Sequence, residues 1–354
     1  MGARDGAGMI PASYRRPETV EQALHALAAH GSGEVRAIGG GTNLLDLMKL
    51  QLMAPQGLVD INRLPLDAIE PRDDGGLRLG ATARNAHTAW HPLVERQYPL
   101  LSAAMLAAAS PQIRNMATNG GNLLQRTRCS YFYDRATPCN KREPGSGCSA
   151  IGGLTKYHAI LGASEHCIAT HPSDMCVALA ALDATVHVRS VRGERVIPFA
   201  EFHRLPGDRP EVDTTLAADE LIVRIELPPQ DRFAAHSAYL KIRERLSYAF
   251  ALVSVAAALD LDEHGIIREA RIAVGGVAHK PWRRLSAEAM LVGAAPAGER
   301  LHEAAAHLLE GAVSQGENAF KISLAQRAIV RALETAAKGT VDNQGHGPMP
   351  ERAA

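Results

Sequence analysis

Residues 36–49 read RAIGGGTNLLDLMK. The apolar pair Ala37-Ile38 ends a strand, three glycines turn the chain, and leucines at helical spacing follow from Leu44. Glycine lets the backbone approach a phosphate closely, and successive N–H groups beside a helix N-terminus can receive its charge. Thr42 and Asn43 add short donors at the same place. Strand-to-helix turns also use glycine for conformational reasons alone. The stretch is not G-x-G-x-x-G and lacks the Lys-Ser/Thr of a triphosphate loop, so neither a Rossmann dinucleotide site nor an ATPase is favoured. A second turn, ATNGGN at Ala117–Asn122, repeats the threonine, paired glycines and asparagine. Two such turns in separate subdomains suit a pyrophosphate held between them, which an extended dinucleotide such as FAD requires.

Outward from these turns the chain alternates helical and extended patterns. A short strand near Tyr14 precedes ETVEQALHALAAHG, a helix with Thr19 at its N-cap, Gln22 three residues on and Gly31 at its stop. GLVDINRL reads as a strand, and GGLRLGATARNAHTAWHPLV as a strand followed by a helix running through Leu106. HAIL at 158–161 reads as a strand. HPSDMCVALAALDATVHVRS reads as helix then strand, and RVIPFAEFH and ELIVRIELP continue an antiparallel portion. PPQDR at Pro228–Arg232 is a credible linker. Beyond it, SAYLKIRERLSYAF is a helix or bulged strand, and two strands follow around the turn Glu263-His264-Gly265. SAEAMLVG and the alanine-rich residues 298–333 close the chain as helices, with a polar, glycine-rich tail.

Composition narrows the function. Lysine plus arginine equals aspartate plus glutamate at 38 each, so the electrostatic footprint of nucleic-acid binding is missing. Aromatic residues make up 4%, too few for base-stacking platforms. No apolar run reaches the roughly eighteen residues of a membrane span. The N-terminus, with no apolar segment, does not read as a signal peptide.

Cysteine is nearly absent except in one place. Cys129, Cys139, Cys148 and Cys167 fall within 39 residues, with nine, eight and eighteen residues between them. The segment is rich in proline, glycine and asparagine. Four thiolates converging from a loop suit zinc or an iron–sulfur cluster. A zinc knuckle usually grips its ion with two tight C-x₂₋₄-C pairs, and no pair here is tight. Wide, uneven spacing is better matched to a [4Fe–4S] cube. Arg126, Arg128, Arg135, Lys141 and Arg142 are interleaved and could offset its charge. Zinc, unligated loop cysteines and a pair of disulfides are the competing readings. The odd total of five cysteines argues against a secreted disulfide framework, and Cys176, among helix formers, reads as a buried inert thiol.

Taken in order, RAIGGGTNLLDLMK, TNGGN, HPSDMCVALAALDA, DELIVRIELP, YLKIRERLSYAFALVSVAAAL and GGVAHKP resemble the FAD-binding subunit of the xanthine dehydrogenase and carbon monoxide dehydrogenase family, the molybdenum hydroxylases. The resemblance spans about residues 10–335. The cysteine loop makes it most similar to the flavoprotein subunit of the periplasmic aldehyde oxidoreductase type, which carries an added [4Fe–4S] cluster. The implied fold is α+β: a two-subdomain vanillyl-alcohol-oxidase-like (PCMH-type) FAD-binding fold, then a CO-dehydrogenase-flavoprotein C-terminal α+β domain. The expected divisions are a disordered extension over 1–8, a first FAD-binding subdomain over 9–65, a second over 66–229 with the cluster loop at 124–168, the C-terminal domain over 233–336, and a flexible tail over 337–354.

On this resemblance, Arg36, Ala37, Ile38, Gly39, Gly40, Gly41, Thr42, Asn43 and Leu44 would wrap the FAD pyrophosphate. Thr118, Asn119, Gly120, Gly121 and Asn122 would form the other half of the cradle. Gly39 departs from the family's more usual alanine. Asp174 would face the flavin or ribityl region, Ile222 would pack near it, and Lys241 would meet the flavin side. Asp174 could instead cap the helix that follows it, and Lys241 could be a solvated charge. His171 and His279 read as structural hydrogen-bonding groups. Cys129, Cys139, Cys148 and Cys167 would hold the [4Fe–4S] cluster, and Tyr131, Phe132 and Tyr133 would pack its loop against the domain. The implied task is electron transfer: a molybdenum-cofactor large subunit oxidises an aldehyde, a [2Fe–2S] small subunit passes electrons to the FAD here, and a terminal acceptor removes them. No catalytic acid–base pair is expected. Assembly is expected in the cytoplasm, with export to the periplasm on a partner's signal as a further route. A zinc-stabilised scaffold protein without redox function and a stand-alone flavin oxidoreductase are the alternatives.

Overall fold

The computed structural model describes residues 8–29 and 34–341. Most of the expected N-terminal extension, the helix stop at Gly31, and the tail beyond Val341 lie outside the described residues.

The first helix, Val20–Ala28, starts as its sequence requires. The Thr19 hydroxyl accepts from the Gln22 N–H at 3.2 Å, and the Gln22 side chain reaches back to the Glu18 N–H at 2.8 Å. Its buried face, Val20, Ala23, Leu24 and Leu27, packs on a small parallel sheet. That sheet holds β1 (Ser13–Arg15), β2 (Val35–Ile38) and β3 (Gly57–Asp60) in the order β1-β3-β2, with Leu58 level with both Tyr14 and Arg36.

A second sheet is wholly antiparallel. It contains β4 (Ile69–Pro71), β5 (Leu77–Gly80), β6 (Thr185–Ser190), β7 (Gly193–Pro198) and β8 (Leu221–Leu227), ordered β4-β5-β8-β6-β7. The expected single helix through Leu106 is three short ones, Asn85–Ala89, Pro92–Gln97 and Pro99–Ala107. Pro92 and Pro99 each supply the first helical residue, a position that tolerates a missing N–H and prevents the preceding helix from running on. The cysteine segment is inserted between the helices Asn119–Leu123 and Asp174–Ala181.

The third sheet, order β11-β10-β9, comprises β9 (Ser237–Ile242), β10 (Val253–Leu261) and β11 (Ile267–Gly275). SAYLKI is therefore a strand, and residues 243–252 are irregular, with Tyr248 at φ 52°. Strand β10 is buried on both faces and divides its side chains by parity. Val253, Val255, Ala257 and Leu259 join the core under the helices Glu299–Leu308 and Phe320–Ala337. Ala256 and Ala258 face the other way, into the core of the second sheet with Val177 and Leu179 of the helix Asp174–Ala181. Two alanines on that side let strand and helix approach closely, so the two units share one apolar seam.

Three further expectations are corrected. HAIL is not a strand, because the N–H groups of Ile160 and Leu161 both go to the Val277 carbonyl rather than to a ladder. The alanine-rich run is two helices, interrupted where Gly311 takes φ 84° and Asn318 accepts from the Gln315 N–H. Residues 338–341 are tied down, with the Thr340 N–H on the Ala235 carbonyl and its hydroxyl accepting from the Ser237 N–H, both at 2.8 Å.

Candidate functional site

The two glycine turns meet. A Cβ on Gly40 would stand 1.9 Å from the Met116 carbonyl oxygen, and one on Gly39 would stand 2.8 Å from Thr118 Oγ1. Gly41 takes φ 72°, which L side chains rarely adopt. The glycines thus allow the first turn to lie directly against the second. Together they border a cavity of about 1430 Å³, lined also by the start of the helix Asp174–Ala181 and by residues 244–251.

Arg36, Ala37, Ile38, Gly39, Gly41, Thr42, Asn43, Leu44, Thr118, Gly121, Asn122, Asp174 and Lys241 all line this cavity. Gly40, Asn119, Gly120 and Ile222 stand behind its wall. Asn119 is fully buried; its amide bonds Asn85, Thr88 and the Gly80 carbonyl, so it braces the second turn from inside. Gly120 packs on Ala81, and Ile222 belongs to the core of the second sheet.

Asp174 does not cap its helix. Ser173 does, accepting from the Cys176 N–H at 3.1 Å and donating to Asn122 at 2.5 Å. Nor is Lys241 a solvated charge. Its ammonium lies 2.8 Å from the Asp174 carboxylate, which also accepts from the Tyr239 hydroxyl at 2.7 Å, and both side chains are 5% exposed or less. Breaking one member of such a pair leaves an uncompensated buried charge.

Around the rest of the cavity stand groups that sequence reading set aside or missed. The rings of His171 and His203 lie 4.3 Å apart, and His279 completes the cluster. His203 Nε2 donates to the Leu123 carbonyl at 2.8 Å, leaving Nδ1 as a bare lone pair, while His171 Nδ1 accepts from the Ser173 N–H at 3.3 Å, leaving Nε2 with the proton. Among the described residues, those free nitrogens, both nitrogens of His279 and the Asn43 amide nitrogen are buried with no hydrogen bond of good geometry. Burial pushes His203 down to about 4 and His279 to about 3, so both rings are neutral. Cys176, His171 and His203 place one ligand atom each within 4.8 Å of one another. Burial nevertheless pushes the Cys176 thiol up to about 12, which keeps it protonated.

Asp213 joins the cavity to its neighbour. It accepts from Arg126 Nε at 2.9 Å and from the Lys141 ammonium, whose side chain is 1% exposed. Burial raises its pKa, yet Lys141 and Arg126 outweigh that and hold it far below the usual carboxylate range. The Arg126 backbone N–H in turn bonds Asn43 of the first glycine turn at 2.9 Å.

Beyond Lys141 lies the cysteine pocket. Cys129, Cys139, Cys148 and Cys167 border one small space with Phe132, Pro138, Lys141, Ala150 and Ala169, and all four are free thiols. Cys139 and Cys148 face each other across an antiparallel bridge. A hydrogen bond between Cys148 and Cys167 favours the thiolate at Cys148 and the thiol at Cys167. Burial pushes Cys129 up to about 11; its sulfur lies 3.1 Å from His158 Nε2. Phe132, fully buried, anchors the loop on Leu47 of the helix after the first glycine turn.

Comparison with known proteins agrees with this construction. Residues 10–230 match the FAD binding domain in molybdopterin dehydrogenase, and residues 237–336 match the CO dehydrogenase flavoprotein C-terminal domain. The chain is 50% identical over 325 residues to the aldehyde oxidoreductase FAD-binding subunit PaoB of Escherichia coli, covering 92% of this chain and 98% of the relative. It is 30% identical over 278 residues to a putative xanthine dehydrogenase FAD-binding subunit, XdhB, of the same organism, covering 78% of each. Among solved structures, it is similar to a chain of carbon monoxide dehydrogenase from Hydrogenophaga pseudoflava at a TM-score of 0.71 and 25% identity, covering 92% of this chain and 98% of that one. Quinoline 2-oxidoreductase from Pseudomonas putida contains a similar chain, with a TM-score of 0.70, 26% identity, and coverage of 93% and 98%. The chain belongs to the FAD-binding medium subunits of the molybdenum hydroxylase family, components of oxidoreductase complexes.

Proposed function

We propose that this chain is the electron-transfer subunit of an aldehyde oxidoreductase-type molybdenum hydroxylase, holding FAD in the large cavity and a [4Fe–4S] cluster on Cys129, Cys139, Cys148 and Cys167. The observation that carries the reading is that the four cysteines border one pocket, and that Cys129 also lines the cavity between the glycine turns.

Several features support each half. Contact between the two turns puts Gly39, Gly41, Thr42 and Asn43 beside Thr118, Gly121 and Asn122 around one cavity, where a pyrophosphate would be received. The Asn43 amide nitrogen, buried without a partner among the described residues, is a donor that such a ligand would satisfy. Asp174 and Lys241, neutralised by each other, would present a fixed dipole on the same wall. Bound FAD would supply the redox chemistry, taking and releasing electrons singly or in pairs, while the protein sets its position and surroundings.

For the cysteines, tetrahedral zinc with sulfur at about 2.3 Å would bring the sulfurs to roughly 3.8 Å from one another. The wide, uneven spacing of the four cysteines along the chain is what favours a larger iron–sulfur core over zinc. Lys141, buried at the pocket wall, would offset its negative charge.

A molybdenum-cofactor subunit and a [2Fe–2S] subunit would deliver electrons, and a separate acceptor would remove them. The test is a visible spectrum of anaerobically purified protein with iron and flavin counts. Flavin bands over a broad absorption near 400 nm, with about four iron per chain, are expected. Zinc in place of iron, or a colourless protein, would refute it.

A further inference from the structure

His158 stands where the two sites meet. Its Nε2 lies 3.1 Å from Cys129 Sγ, and both residues line the large cavity, while Cys129 borders the cysteine pocket as well. The residue is 4% exposed and firmly held. Its carbonyl accepts from Lys321 Nζ at 2.8 Å and from Asn318 Nδ2 at 3.2 Å, two fully buried groups of the C-terminal unit. The Tyr131 ring lies 6.2 Å from its ring. The C-terminal unit thus fixes the His158 backbone and the Tyr131 segment flanks its ring, with one imidazole edge against one sulfur.

We propose that His158 donates an Nε2–H hydrogen bond to the Cys129 thiolate and so raises the reduction potential of the iron–sulfur cluster at its corner facing the flavin cavity. This rests on the cluster reading of the cysteine pocket. A thiolate bound to iron carries no proton, so the hydrogen shared between Nε2 and Sγ is the imidazole's own. The step tuned is a one-electron reduction: the iron–sulfur core gains an electron, the reduced flavin of the assembly loses one, and no bond to His158 forms or breaks. The added charge spreads onto the sulfurs, and an N–H donor stabilises that more negative state over the oxidised one. Removing the donor therefore makes the cluster harder to reduce. A hydrogen bond to a charged group contributes enough for about a tenfold change in the ratio of oxidised to reduced forms at fixed potential.

The test is a potentiometric titration of the full chain, purified anaerobically, with the cluster followed by electron paramagnetic resonance and the flavin by absorbance. In His158→Phe, iron and FAD are retained and the cluster midpoint moves negative by about a tenfold ratio, roughly 59 mV for a one-electron couple. His158→Gln keeps an N–H donor on a longer reach and shows a smaller negative shift; it carries the test if the phenylalanine variant is not recovered. The flavin midpoint stays in place in both, which a general loosening of the fold would not allow. A cluster midpoint equal to wild type in both variants overturns the proposal while leaving the cluster reading intact. Loss of iron from both variants overturns it in favour of His158 as an iron ligand. Absence of iron from the wild-type chain removes the cluster reading and this proposal together.

Discussion

Around the large cavity the walls come from strands, helix starts and two glycine turns in mutual contact. Around the cysteine pocket they come from residues 124–168, where the helix Ser130–Tyr133 and two isolated bridges are the regular structure. The first encloses about 1430 Å³ and the second about 10 Å³. Backbone packing of these elements shapes the cavity. The cysteine loop instead relies on side chains reaching backbone carbonyls, as Arg142 does to Tyr131, Phe132 and Thr137. On the proposed reading, such a loop would gain much of its order from a metal group bound by its thiolates, because binding and folding would then be one equilibrium. On that reading the contrast is between a site formed by packing and a site that its ligand would complete.

The largest expected effect comes from the residue that links the two. Asp213→Asn leaves Lys141, buried beside the cysteines, and Arg126 without a carboxylate, at a cost of about 3–5 kcal/mol. Denaturant titration should show that loss, together with reduced iron and FAD; loss of iron alone would mean that Asp213 does not join the sites. Because Asp213 titrates below its unfolded value of about 3.9, its contribution is present above that pH and fades as acid approaches the folded value.

Gly40→Ala comes next. The new methyl would meet the Met116 carbonyl, which is backbone and cannot rotate away, so overpacking of about 1–3 kcal/mol is expected. FAD should be lost with iron retained. Equal loss of both would erase the distinction between the two regions.

Over the span from pH 6 to 4.5 the acid response of the cavity is of similar size, about 2 kcal/mol. His279 is buried neutral, with a folded pKa near 3 against about 6.5 unfolded, so the unfolded chain binds the extra proton first. Its contribution is full above about pH 6.5 and is lost as pH falls, by about 1.4 kcal/mol per unit, until the folded value is reached. His279→Gln in flavin-free protein should flatten the stability profile between pH 6 and 4.5 by that slope. An unchanged slope would place the acid sensitivity elsewhere.

Legibility followed the same division. RAIGGGTN and ATNGGN stand out because steric demands for glycine are local, and the structure brings both to one cavity. Yet Gly40 serves the contact between turns, and Asn119 braces its turn from behind, distinctions that depend on partners at Met116 and at Asn85, far along the chain. The cysteines announce themselves by chemistry alone, since their loop has no periodicity to read. Asp213, His203 and Asn318 carry no local signal at all. Their roles arise from contacts with Lys141, Leu123 and His158 across the chain. Proline is a local signal: Pro92 and Pro99 mark helix restarts where one long helix is expected from the apolar pattern alone. The parity of β10, apolar on both faces, likewise needed the third dimension to be divided between two cores.

Counting iron and flavin in Cys148→Ser beside the wild-type chain tests the separation of the two sites most directly. The expected result is about four iron and one FAD in wild type, near-zero iron with undiminished FAD in Cys148→Ser, and wild-type iron in Cys176→Ser. A wild-type chain without iron, or a Cys148→Ser chain that sheds its flavin along with the metal, would contradict it.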